Sequence, residues 1–72
     1  MYEVRIILIN RFGEFVGKKV KVDDIGLKKI KSISVTFYQQ GGFELDCEDG
    51  NFLVVPPNII MESLVKLEIN KI

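Results

Sequence analysis

Between Ile33 and Val55 the hydrophobic pattern has a period of two, and a chain with that pattern forms extended strands rather than helix. Ile33, Val35 and Phe37 share one parity and Ser34, Thr36 and Tyr38 the other, so a strand here has one apolar and one largely polar face. Gln39-Gln40-Gly41-Gly42 turns the chain. Phe43, Leu45 and Cys47 then alternate with Glu44, Asp46 and Glu48, and Asp49-Gly50-Asn51 supplies a second turn into Phe52-Leu53-Val54-Val55. The pattern describes a meander with an inside and an outside. Ile33, Val35, Phe37, Phe43, Leu45 and Cys47 form its inward set.

The flanks extend the same theme. Tyr2 to Asn10 reads as a strand with Tyr2, Val4, Ile6 and Leu8 on one face; the other begins with Glu3 and Arg5 but turns apolar at Ile7 and Ile9. A strand that is apolar on both sides is covered on both sides, by another element or another subunit. Arg11-Phe12-Gly13-Glu14 forms a turn. Phe15 to Val22 resumes an extended pattern in which Gly17 allows a bulge, with Val20 and Val22 inward and Lys19 and Lys21 outward. Asp23 to Ile30 is read as a short connection, with Asp23 or Asp24 able to cap one helical turn that directs Ile25 and Leu27 or Ile30 inward; Gly26 opposes anything longer. Pro56-Pro57 ends the strand that precedes it. Asn58 to Ser63 then makes a single helical or 3₁₀ turn, and Val65, Leu67 and Ile69 alternate with Lys66, Glu68 and Asn70 in a last strand that can close against the first.

These elements predict an all-β single domain over residues 1–72: a small antiparallel barrel or sandwich of five to six strands with one short helical turn near 58–63. The closing order of strand, Asp-Gly turn, strand, Pro-Pro, helical turn and terminal strand resembles the second half of a small barrel of the Src-homology-3 type. Gly50 and Val55-Pro56-Pro57-Asn58-Ile59-Ile60 carry that resemblance, which spans about residues 43 to 70. It implies architecture. Proline-rich ligands are held in such domains by aromatic grooves that usually include tryptophan. This chain has no tryptophan and no tyrosine-rich opening loop, so recognition of that kind does not carry over.

Chemistry is sparse. With no histidine, the commonest general base and metal ligand are missing. The one cysteine, Cys47, shares the parity of Phe43 and Leu45 and reads as a small buried hydrophobe rather than a nucleophile. Phosphate-loop and dinucleotide glycine patterns are absent. A calcium loop centred on Gly50 would need ligands at Leu45 and Pro56, which neither residue supplies. The expectation is therefore a non-enzyme with no catalytic residue, no metal site and no cofactor.

Two charged segments are candidates for binding. Residues 1–31 carry eight bases and four acids, and residues 32–72 carry two bases and six acids. Either strands from the two parts interleave and neutralise one another, or the surface is dipolar. Glu44, Asp46 and Glu48 share one strand face, with Asp49 at the turn, and form a solvated face or an acidic contact surface for a basic partner. Surplus apolar residues at Ile7, Ile9, Leu53 and Val55 mark a candidate interface between copies. The leading expectation is a protein–protein interaction module, a homo-oligomeric small regulator or inhibitor of the kind phages use, that presents this acidic strand to a second, unidentified protein. The alternative is a single-stranded nucleic-acid-binding barrel using Arg11, Lys18, Lys19, Lys21, Lys28 and Lys29, with Phe12 and Phe15 interleaved. The opening residues lack the pattern of a secretory signal, and no apolar run is long enough to span a bilayer, so a cytoplasmic location with no membrane partner is expected.

Overall fold

The computed structural model describes residues 1–31 and 43–72. The strand expected over Ile33–Tyr38 and the turn over Gln39–Gly42 lie outside the described residues. In chain order the elements are β1 (Tyr2–Asn10), β2 (Gly13–Val16), β3 (Val20–Val22), helix α1 (24–31), β4 (Phe43–Asp46), β5 (Phe52–Val55), helix α2 (Pro57–Met61) and β6 (Leu64–Lys71).

The fold is mostly β. β1 is its central strand because it is apolar on both parities: Val4 and Leu8 are buried on one, Ile7 on the other. One edge of β1 pairs with β6 from Tyr2 opposite Lys71 to Ile9 opposite Leu64, so the last strand does close against the first. The other edge pairs with β2 along Ile7–Asn10 and with β3 along Tyr2–Val4. β4 and β5 form a separate antiparallel pair, with Phe43 opposite Val55 and Asp46 opposite Phe52. Among the described residues the strands thus make two sheets rather than one closed barrel.

The sheets meet at Gly17. Val16 lies opposite Ile7 and Val20 opposite Val4, so Gly17, Lys18 and Lys19 face only Arg5 and Ile6. This is the bulge that the glycine foreshadows. There the chain turns toward β4: Gly17 bridges Cys47, the Lys18 N–H donates to the Asp46 carbonyl at 2.9 Å, and the Glu48 N–H donates to the Val16 carbonyl at 3.0 Å. The core spans both sheets, with Leu8 from β1, Phe43 and Leu45 from β4, Cys47, Val55 from β5 and Ile60 from α2. Leu8 and Ile60 are almost wholly removed from solvent.

Three local expectations are corrected. Residues 24–31 form a helix of two turns, not a short connection. Asp23 is its cap: its Oδ1 accepts the Gly26 N–H at 2.7 Å, and its carbonyl accepts the Leu27 N–H at 2.9 Å. Gly26 assists the helix here, since a Cβ at that position would lie 3.0 Å from Val22 Cβ and 3.2 Å from the capping oxygen. The helix turns Leu27 and Ile30 partly inward and leaves Ile25 in solvent at 66% exposure. On β3, Val22 is half-buried but Val20 is exposed: it lies opposite buried Val4 at the edge of the sheet and lines an open cavity rather than the core. The terminal helix occupies Pro57–Met61, one residue earlier than its expected start, since proline fits the first helical position. Replacing Asp23 with alanine is expected to cost about 1 kcal/mol through the lost cap, read as a lower urea midpoint with an unchanged slope.

Candidate functional site

The β4–β5 hairpin turns at Asp49-Gly50-Asn51. Both oxygens of the Asp49 carboxylate are used in the turn, accepting the Asn51 N–H at 2.9 Å and the Asn51 side-chain amide at 3.0 Å, while Gly50 takes a φ of 92°. Asp49 is therefore a turn residue first. The hairpin splits its residues by parity as the sequence suggests. Phe43, Leu45 and Cys47 are buried, whereas Glu44, Asp46 and Glu48 are exposed.

The register adds what the alternation alone does not show. Glu44 lies opposite Val54 and Asp46 opposite Phe52. Directly opposed residues of an antiparallel pair point to the same face, so two carboxylates and two large apolar side chains share the outer surface of this hairpin. Val54 is 66% exposed and Phe52 61%. Neither was among the expected interface residues. Of those that were, Ile7 and Val55 are buried within the subunit, and Ile9 and Leu53 are half-buried. Packing within the chain accounts for Ile7 and Val55 without a second copy.

Much of the charge is neutralised internally. Arg5 reaches Glu68 at 2.9 Å and Glu48 at 3.5 Å, Lys18 reaches Asp46 at 3.4 Å, Lys19 reaches Glu3 at 3.7 Å, and Arg11 reaches Glu62 at 2.8 Å. Two of these contacts join bases of the first part of the chain to the acidic strand, which is the interleaving that sequence order conceals. The solvated pairs among them, Arg11–Glu62 and Lys18–Asp46, each stabilise by about 0–1 kcal/mol, so they orient side chains more than they hold the fold. Glu44 stands apart, exposed on β4 beside Val54. Arg11 also lies over the Phe12 ring, 5.0 Å from its centroid. Among the basic residues considered for nucleic acid, Arg11, Lys18 and Lys19 thus have acidic neighbours, while Lys21, Lys28 and Lys29 are exposed on β3 and α1.

The Cys47 thiol is pushed up by burial and, secondarily, by the nearby charges of Asp49 and Asp46, which opposes the thiolate a nucleophile requires. Tyr2 is likewise raised, by its hydrogen bond to Asp24 and by that residue's charge. A cavity of ≈ 340 Å³ opens between the sheets, walled by Val4, Ile6, Ile30, Leu45 and Leu67 with Arg5 and Lys18 at its rim. Its walls are hydrocarbon, and the rim bases already face Glu48, Glu68 and Asp46. No group of three or more potential metal ligands is assembled among the described residues, and no helix among them is long and apolar enough to cross a membrane. No family profile, curated protein or solved structure matches the chain.

Proposed function

We propose that this chain is a non-enzymatic protein–protein interaction module, a small regulator or inhibitor that engages a basic, partly apolar partner surface through the outer face of β4 and β5. The observation that supports this reading is the placement of Glu44 and Asp46 directly across from exposed Val54 and Phe52. A merely solvated face needs no adjacent pair of large, well-exposed apolar side chains beside its carboxylates. Interaction surfaces instead combine apolar anchors, for affinity, with charges that steer and orient the partner. Glu48 and Asp49 border the face; Asp46 and Glu48 share their charge with Lys18 and Arg5 and Asp49 is held in the turn by Asn51, so Glu44 is the primary carboxylate contact. The two sheets share one core, into which the inner face of the hairpin packs through Phe43, Leu45, Cys47 and Val55.

Immobilised protein, challenged with host extract and compared with a Glu44→Lys, Asp46→Lys double variant, tests the reading. A protein retained in stoichiometric amount by the wild type should be lost from the variant by at least about tenfold and should elute with salt. Equal retention by both proteins would remove the proposal. The nucleic-acid reading rests on Lys21, Lys28 and Lys29. It requires single-stranded RNA or DNA to be retarded at low salt by the wild type and released when these lysines are changed to glutamate.

A further inference from the structure

We infer that β5 is the interface through which two copies of this chain pair, strand to strand about a twofold axis, and that the pairing is specified by Phe52 and Val54. The inference goes beyond the interaction-module reading: the contact is the backbone edge of the strand, with Phe52 and Val54, which also lie on the carboxylate-bearing face, packing across it.

Following the pairing outward from β1 leads to β6 on one side, and on the other through β2, β3 and the Gly17–Cys47 bridge to β4 and then β5. Among the described residues β5 pairs with β4 alone and β6 with β1 alone, so these two strands end the order. Soluble proteins protect such edges with charges, proline or bulges, because unpaired backbone groups recruit other strands. β6 follows that rule with Lys66, Glu68 and Lys71. β5 breaks it: Phe52-Leu53-Val54-Val55 has no charge, no interior proline and no bulge, and its outward residues are the exposed Phe52 and Val54. An edge of this composition is suited to cover by another strand.

A second copy fits the edge by register. A twofold axis perpendicular to the sheet keeps each face on its own side, so residues placed opposite one another must have the same parity. With Leu53 on the axis, Phe52 lies opposite the partner's Val54 and Val54 opposite the partner's Phe52, giving two aromatic–β-branched pairs on one surface. Centring on Val54 instead would set Phe52 against the partner's Pro56, which has no N–H to donate. Centring on Phe52 would run the pairing into the Gly50-Asn51 turn. The Leu53-centred register pairs Phe52, Leu53 and Val54 with one another and keeps proline out of the pairing, with Val55 reaching the partner's Asn51.

Charge permits the arrangement. β5 contributes none, and the nearest like charges in this register, Glu44 of one copy and Asp46 of the other, would be separated by three strand spacings, roughly 14 Å. That exceeds a screening length of about 8 Å at physiological salt. A groove of ≈ 160 Å³ between Phe12 and Phe15 on one side and Leu53, Val54 and Pro56 on the other lies against the same strand. It gives inward-facing side chains of an added strand an apolar wall, the usual division of labour in strand addition. Pairing would also set two copies of the Glu44–Asp46 row symmetrically about a shared apolar centre, doubling the face proposed for the partner.

Sedimentation of the full chain from micromolar to millimolar concentration should show a monomer passing to a dimer and stopping there. Val54→Lys should weaken the dimer by at least about tenfold, while Glu44→Lys leaves it intact; circular dichroism of each variant confirms that the fold survives at these exposed positions. In a Cys47→Ala background, Phe52→Cys and Val54→Cys together should cross-link copies under mild oxidation, and either cysteine alone much less, because like residues are not opposed in this register. A monomer at every concentration, a dimer indifferent to Val54→Lys, or growth beyond the dimer, which would signify β5 adding to the partner's β6, would each overturn the inference. Dimerisation without capture of a basic partner would instead remove the proposed function and leave this contact standing.

Discussion

Replacing Leu8 with alanine is expected to destabilise the protein by about 2–5 kcal/mol. Leu8 is fully buried at the centre of β1, with Phe43, Leu45, Val55 and Ile60 in the same cluster and Ile6, Phe15 and Val65 packed against it. Truncation removes hydrocarbon contacts with both sheets at once. Because β1 is held by β2 and β3 on one edge and β6 on the other, the backbone has little freedom to collapse into the space, and partial collapse is what limits the cost at yielding sites. A chain of 72 residues has a total stability of roughly 4–11 kcal/mol, so the expected loss is a large share of it. Chemical denaturation followed by circular dichroism reads the effect directly. A comparable truncation of exposed Met61, at 73% exposure, should change the midpoint little, which separates a packing effect from a general loss of hydrophobicity.

Some of this architecture can be read from the residues themselves, and the reason differs from element to element. The first half of β1 and the inward set Phe43, Leu45 and Cys47 follow from a period of two that only one backbone conformation satisfies, and β5 from a short apolar run between the Asp49-Gly50-Asn51 turn and Pro56. Helix α1 does not, because the benefit of a close Asp23 cap at Gly26 depends on a three-dimensional approach to Val22 that propensity treats only as a glycine penalty. The neutralisation of the two charged segments is also hidden: Arg5 and Glu48 are far apart in the chain and meet only because the bulge brings β1 and the end of β4 together. At the candidate surface, Glu44 and Asp46 are visible as an outward pair, but four consecutive apolar residues in β5 have no alternation to say which two face out. The register opposite β4 decides it, leaving Phe52 and Val54 exposed where Leu53 and Val55 had been expected to form the contact. Parity within one strand cannot settle a question that belongs to a pair of strands.

The bulge carries the second large effect. Gly17→Ala should be as damaging as a core truncation, although it adds a single methyl group. A Cβ at this position would sit 2.8 Å from the Ile6 carbonyl oxygen and 2.9 Å from Leu45 Cδ1. The leucine terminus can rotate away, at the cost of disturbing a buried side chain; the carbonyl belongs to β1 and already accepts the Gly17 N–H at 2.7 Å. Relieving the overlap therefore means lengthening that bond and moving the two strands apart. Bonds made at the same crossing, from Lys18 to Asp46 and from Glu48 to Val16, would be disturbed with it. Overpacking of this kind costs about 1–3 kcal/mol, with each disrupted buried hydrogen bond adding about 1 kcal/mol. The thermal midpoint should fall by roughly 4–8 °C for every kcal/mol lost in a domain of this size. The substitution also makes a prediction that Leu8→Ala does not: amide exchange in the folded protein should accelerate first at Lys18 and Glu48, where the sheets join, before it does so along β6. Uniform acceleration across both sheets would mean that the junction is not a separately yielding element and that the Gly17 crossing holds the hairpin no more tightly than the rest of the fold.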